Sequence, residues 1–373
     1  MKSIKRKHSA CFLISLWFWV GIPIFFSWIP CAADEDEKAF SGELRVEGGS
    51  FQAPGTDLSA YQISRLELES HLDVAPNFTM ALEGDAKWQA STATTPPPEP
   101  EFPVGNLIPV EISNSNGPFY SFELYQASLH FTSGRLDVTG GLFKPNWGSS
   151  HFYKPTDYFF PIQPLQWQKD PPESSDGLDA TFFLFDDLSL EGAGRLLDGG
   201  NGEWVLRLVN KGIGITVTPS FVSMLGRNGM GVELSGTFPD FQLRVEGVDW
   251  LFPDGTARAE WVAGVSTLRQ GIAYSVEIYR DETGGVLGDF SAGTVNATYF
   301  YTSIEKTFPG DWKISPALVK GIEGGPFLFW PKASWGFEKS WELDVQGQLK
   351  IGTVPGPLAL VPNRLGLSIT YSF

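Results

Sequence analysis

The sequence predicts an all-β protein: a single transmembrane antiparallel β-barrel of about 18 strands, with about 16 as the alternative, after a cleaved signal peptide. Three observations predict it. The chain opens on a basic and then apolar segment of the kind that directs export. Its body repeats short segments of alternating hydrophobicity. It closes on a strictly alternating strand that ends at Phe373.

The opening segment has Lys2, Lys5, Arg6 and Lys7, then an apolar run from Cys11 to Ile29, then Cys31-Ala32-Ala33 before the acids Asp34-Glu35-Asp36-Glu37. Small residues at that place are what a signal peptidase cuts, so residues 1–33 are expected to be removed and residues 34–373 to form the barrel. An uncleaved anchor is one alternative, because the apolar run is long enough to span. A lipid-modified Cys31 is another, although Ile29-Pro30 is a poor lead-in to it.

Removing the leader sharpens the charge balance. The chain has 27 Lys and Arg against 43 Asp and Glu, and the four basic residues of the leader leave the mature part with 23 against 43, a net charge near −20. Such a surface argues against nucleic acid as a partner, since phosphates demand basic patches. Both cysteines, Cys11 and Cys31, lie in the leader, so the mature part has neither disulfides nor thiolate metal sites. No cofactor is expected.

In the body, Leu66, Leu68, Leu72 and Val74 alternate with Arg65, Glu67, Glu69, His71 and Asp73, and Trp341, Leu343, Val345, Leu349 and Ile351 alternate with Glu342, Asp344, Gln346, Gln348 and Lys350. A period of two means a strand with one apolar and one polar side. A soluble sandwich would bury the first side, and a membrane barrel would turn it to lipid; the pattern alone leaves both open. Connection lengths favour the barrel. Candidate strands fall near 42–51, 60–74, 77–90, 118–131, 134–143, 176–186, 188–198, 202–210, 213–223, 228–238, 240–250, 257–269, 271–282, 295–306, 312–322, 326–337, 340–352 and 364–373. Every second connection between them is short. Most of the irregular chain falls in 91–117, 144–175, 283–294 and 353–363, which gives one rim of tight turns and one of long loops. Trp88, Tyr120, Trp204, Trp250, Trp261, Trp312, Trp330, Trp335 and Trp341 lie mostly near strand ends, where aromatic girdles would place them.

Two sets of residues are candidates for function. The first would line a polar lumen: Arg65, Glu67, Glu83, Asp85, Lys87, Arg135, Arg195, Arg207, Arg244, Glu246, Arg258, Glu260, Glu342 and Asp344. Opposed charges at such positions set a transverse field that selects solutes, or merely pair across strands and solvate the wall. The second is the long apolar loop 144–175, rich in aromatics and proline. Such a segment is expected to pack inside the barrel or over its mouth and to constrict it through Trp147, Gly148, His151, Tyr153, Asp157 and Pro161. Gly141-Leu142-Phe143, Trp147-Gly148-Ser149, Thr156-Asp157 and Pro161 resemble a stretch of little-characterised proteobacterial outer-membrane barrels. Phe143-Lys144 replaces that family's Arg-Gln, and Phe160 stands where its Asn precedes the proline. The resemblance implies a porin-like or export-linked barrel with no fixed substrate.

The expected role is passive passage of small solutes or ions across the cell outer membrane of a Gram-negative bacterium. The acidic loops lead to an expected preference for cations or neutral solutes. An occluded barrel acting as adhesin or assembly partner is the first alternative. The second is an outer-membrane hydrolase, for which Ser128 and His130 share a strand face. Expected partners are outer-membrane lipid and lipopolysaccharide, the barrel assembly machinery reading the strand that ends at Phe373, and a second copy of the chain.

Overall fold

The computed structural model describes residues 40–52, 58–91, 110–113, 119–143, 147–159, 175–196, 202–224, 226–283, 297–352, 358 and 361–373. The expected leader 1–33 lies outside the described residues, as does Pro161.

Residues Phe40–Phe373 form one compact unit, whose extended elements among the described residues are all strands of one sheet. In chain order they are β1 (Phe40–Gln52), β2 (Ser59–Ala75), β3 (Phe78–Ser91), β4 (Val110–Ser113), β5 (Phe119–Ser133), β6 (Leu136–Phe143), β7 (Ser175–Phe185), β8 (Leu188–Leu196), β9 (Gly202–Lys211), β10 (Ile215–Met224) and β11 (Arg227–Thr237). Then follow β12 (Gln242–Leu251), β13 (Ala257–Arg269), β14 (Ile272–Asp281), β15 (Ala297–Phe308), β16 (Trp312–Ile314), β17 (Ala317–Gly321), β18 (Phe327–Trp330), β19 (Lys332–Phe337), β20 (Trp341–Ile351) and β21 (Asn363–Ser372).

Neighbouring wall strands pair antiparallel throughout, with β3 pairing directly with β5 and β16–β17 pairing with β18–β19, and β1 pairs with β21 from Glu43↔Ser372 to Gln52↔Asn363, which closes the sheet. Three segments are not wall strands in their own right. A break at Ser315-Pro316 divides one strand into β16 and β17, and Pro331 divides another into β18 and β19, because proline has no N–H to give the ladder. Their carbonyls still serve it: Ile304 N donates to Pro316 O at 3.0 Å and Gly347 N to Pro331 O at 2.8 Å. The short β4 pairs with β5 at Val110↔Phe122 to Ser113↔Phe119, past the point where β6 leaves it. The wall therefore has 18 strands. All the expected strands are present within a few residues; β4 and the two breaks are additions.

Burial identifies the solvent on each side. Leu178, Phe221, Met230, Leu365 and Leu367 are more than half exposed, whereas Glu246, Glu277 and Asp281 are at most 1 % exposed. A water-soluble protein has the reverse arrangement. Apolar side chains outside and charges inside are what hydrocarbon around a polar lumen requires. Ten residues of tilted strand cover the roughly 25 Å apolar band of such barrels. A transmembrane barrel of the outer-membrane kind is the only one of the sequence readings that this distribution allows.

The aromatic expectation holds for part of its set. Trp312, Trp335, Phe337, Trp341, Tyr371 and Phe373 form a continuous row at the short-turn rim, with Trp312 and Trp335 stacked at 5.2 Å and Trp341 and Tyr371 at 4.7 Å. Trp204 and Trp261 also face outward and are exposed. Two corrections follow from strand parity. Trp250 is 3 % exposed on the inner wall, and Trp330 packs against an inner cluster; both sit one residue out of the outward phase.

Candidate functional site

The inner wall from β8 to β15 does not face open lumen. Residues 147–159 of the long β6–β7 loop fold back into the barrel and cover it. The reason is local: the segment Trp147-Gly148-Ser149-Ser150-His151-Phe152-Tyr153 offers large rings to bury and backbone N–H groups that must be satisfied. The wall meets both needs.

The rings fill two inner clusters. Trp147, Tyr158 and Phe159 pack with Ala193, Val205, Val222, Met224, Val248 and Trp250. Phe152 and Tyr153 pack with Val262, Tyr279, Ala297, Tyr299, Val319 and Leu328. Leu358 and Val361, from the β20–β21 connection, join the second cluster, so two loops enter the barrel on this side. Phe152 stacks on Tyr301 at 5.2 Å, and Tyr158 meets Trp250 edge-on at 6.0 Å.

The backbone is held by two wall carboxylates. Ser149 N and Ser150 N each donate to Glu246 Oε1 at 2.6 Å, and Thr156 Oγ1 donates to Glu246 Oε2 at 2.8 Å. One strand pair further on, His151 N and Phe152 N donate to the two oxygens of Glu277 at 2.8 Å each. Consecutive N–H groups converging on one anion are a nest, and hydrogen bonds to a charged acceptor are worth about 1.5–3 kcal/mol each. Tyr153 Oη donates to Glu260 at 3.2 Å, and the hydroxyls of Tyr158 and Ser220 are 2.6 Å apart. Burial pushes the Tyr158 phenol up to about 12, so it stays protonated at any physiological pH.

Glycine makes the fit possible at two places. Gly148 has φ +80°, and a Cβ there would lie 2.8 Å from Glu246 Oε2. On β11, a Cβ at Gly231 would stand 2.0 Å from Tyr158 Oη. Only glycine allows these approaches.

The arginines beneath the loop act with it. Arg207 pairs with Glu233 at 3.0 Å and Glu191 at 3.3 Å while its guanidinium lies 4.8 Å from the Trp147 ring. Arg195 pairs with Glu203 at 2.6 Å and lies 5.4 Å from the Phe159 ring. Arg244 bonds to Gln242 and Ser266 at 2.8 and 2.9 Å and lies 4.0 Å from Glu277. Arg258 stands over Phe252 at 4.8 Å.

The wall formed by β20, β21, β1, β2 and β3 is different. Arg45, Arg65 and Lys87 sit directly across from one another, and Glu43, Glu67 and Asp85 form the next row. Arg65 pairs with Asp85 at 2.5 Å and Glu67 at 3.6 Å, Arg45 with Glu47 at 2.9 Å, and Lys332 with Asp344 at 3.4 Å. Ser334 also donates to Asp344. Glu83 shares the inward face, and Glu342 is exposed there.

The structure thus divides the first candidate set. Arg195, Arg207, Arg244, Glu246 and Glu260 lie under or beside the loop; Arg65, Glu67, Glu83, Asp85, Lys87, Glu342 and Asp344 stand on the opposite wall. Arg135 departs from the expected inward phase: it is exposed in the β5–β6 turn, where its guanidinium donates to Leu184 O at 3.4 Å, because the strand ends at Ser133. In the loop, Trp147, Tyr153 and Asp157 are buried and His151 is exposed. Partial burial, then the charges of Arg244 and Lys154, hold His151 below the ordinary imidazole range. Sequence reading missed Glu277 and Arg227, which carry no motif; their inward parity was the one available signal. It also put Ser128 beside His130. The structure gives both His130 ring nitrogens to threonines, Thr139 at 3.0 Å and Thr132 at 2.8 Å, and places Gln126 on Ser128 at 3.3 Å.

A closed barrel with an apolar outer belt, a charged inner wall and a loop folded onto that wall is the architecture of a porin. Its fold is similar to crystal structures of outer-membrane porins. These include Pseudomonas aeruginosa OccK5 (OpdH), with TM-score 0.60, 11 % identity and coverage of 90 % of this chain and 98 % of that one. Acinetobacter baumannii OccAB3 has TM-score 0.60, 9 % identity and coverage of 90 % and 99 %. Pseudomonas aeruginosa OpdQ has TM-score 0.57, 9 % identity and coverage of 90 % and 97 %. No family model and no curated protein matches the sequence.

Proposed function

We propose that this protein is an outer-membrane channel through which small polar solutes and ions diffuse passively, without catalysis and without a cofactor. One observation carries the reading. The loop is fastened along one side of the lumen by Glu246 and Glu277, which narrows a water-filled barrel and leaves the charged wall of β20, β21 and β1–β3 as the lining of the passage. On that wall the acids Glu43, Glu47, Glu67, Glu69, Glu83, Asp85, Glu342 and Asp344 outnumber Arg45, Arg65, Lys87, Lys350 and Arg364, so cations and neutral solutes should pass more readily than anions. A passive pore carries solute in either direction, so an export-linked role would require only an outward gradient. The outer belt is proposed to meet lipid and lipopolysaccharide, and the strand ending at Phe373 to be read by the assembly machinery.

Single-channel recording in planar bilayers tests this. Stepwise conductance with a reversal potential favouring cations is expected; stable insertion with no conductance would refute the open pore. That second outcome would support an occluded barrel, a reading favoured by the meeting of Leu358 and Val361 with Phe152 inside the lumen.

A further inference from the structure

At the long-loop rim, two arginines on the inner wall have no ion pair among the described residues: Arg227 at the start of β11 and Arg258 at the start of β13. Strand register brings them together around Trp250, which pairs with Arg258 across β12 and β13 and sits opposite Gly229 on β11. The Arg227 guanidinium lies 4.0 Å from the centre of the Trp250 ring and 5.5 Å from that of Phe252, and Arg258 lies 4.8 Å from the same Phe252 ring. Two cations beside one aromatic ring repel each other, and ring attraction alone offsets little of that at a wet site. Glu260 attracts Arg227 and Asp254 attracts Arg258 from a distance, but neither carboxylate makes ion-pair contact. Asp254 is engaged by Thr256 through N at 2.9 Å and Oγ1 at 2.6 Å. Glu260 is taken by Thr283 at 2.5 Å and Tyr153 at 3.2 Å. Neither makes an ion pair with these arginines. Arg227 Nε is also buried without a hydrogen-bond partner.

We propose that Arg227 and Arg258 form a recognition site for a phosphate group on a solute arriving from the long-loop side. Oxygen count selects the class. One guanidinium fork occupies both oxygens of a carboxylate, whereas a phosphate monoester has three terminal oxygens and can take both forks. The planar forks suit bidentate contact with phosphate oxygens, and Trp250 and Phe252 hold them against rotation. The site rests on the channel reading, since it would concentrate phosphorylated solutes at the mouth of a passage whose far wall is acidic.

The test separates binding from conduction. Full-length protein in detergent is titrated with inorganic phosphate and glycerol phosphate, followed by ³¹P line broadening, beside acetate followed by ¹³C. Phosphate binding that weakens on the order of tenfold or more in R227Q/R258Q and is unaffected in R280Q is expected. Arg280 is the control because it is an arginine at the same rim already paired with Glu282 and Glu323. Absent phosphate binding, equal binding by the double variant, or acetate binding as tight as phosphate would each overturn the proposal. Heat-modifiable migration checks that the variants fold. Conductance without phosphate binding would remove this site and leave the channel standing; phosphate binding without conductance would do the reverse.

Discussion

The two sides of the lumen use the same residue types for different ends. Between β8 and β15, acids such as Glu246 and Glu277 accept hydrogen bonds from a loop, and the arginines beside them support its rings. Between β20 and β3, acids and arginines satisfy each other, within a strand at Arg45–Glu47 and across strands at Arg65–Asp85. One side uses charge to hold a second layer of chain; the other uses charge to hold the wall itself. The lesson is that inward charge has no single meaning in a barrel. Its role depends on whether something in the chain comes to meet it.

If that contrast is right, variants on the two sides should fail differently. The largest effect is expected on the open wall. R65A would remove the Arg65 guanidinium from the buried Asp85 carboxylate, at a cost of about 3–5 kcal/mol, seen as a lower temperature for the gel-mobility shift of unboiled barrel, with the conductance of surviving channels little changed. On the loop side, E246A/E277A should spare the barrel and free residues 147–159, raising single-channel conductance roughly twofold or more with added current noise. If the two variants gave the same phenotype, the distinction would be lost.

Smaller changes sharpen it. G231V would push Tyr158 from Ser220 and loosen one end of the loop. A conductance rise below that of the double carboxylate variant is expected, and unchanged conductance would show that the Tyr158 contact does not position the loop. The smallest effect concerns pH. Because His151 in the docked loop titrates below its ordinary 6.5, the undocked loop takes up the proton more readily as pH falls through that value. Acid should therefore favour undocking, docking should be constant above about pH 7, and H151Q should lose the response. An acid response that survives H151Q would assign the effect to other groups.

Much of this architecture was legible in the sequence because a wall strand is a local object. Leu365, Leu367, Ile369 and Tyr371 announce an outward face by alternation alone, and the short connections fix which rim each strand reaches. The loop was legible as a class: an apolar segment from Trp147 to Phe159 has to bury its rings somewhere. Where it docks was not. Glu246 and Glu277 are about a hundred residues from the N–H groups they accept, and a wall acid reads the same in sequence whether it meets water, an arginine or a backbone. Trp250 shows the same limit from the apolar side. Near a strand end, only one step of phase separates a lipid-facing indole from one that supports a loop and two arginines.

The seam between β1 and β21 has a consequence for how the molecule comes into being. Gly42 and Phe373 exchange hydrogen bonds in both directions, at 3.2 and 3.0 Å, so the end of β21 is stitched to the start of β1. A polypeptide without β21 would expose two raw edges, on β1 and on β20, and in hydrocarbon such edges have nothing to bond with. A wall without that seam is thereby excluded from the membrane by physics rather than by inspection: the cylinder exists only once its two edge strands have met.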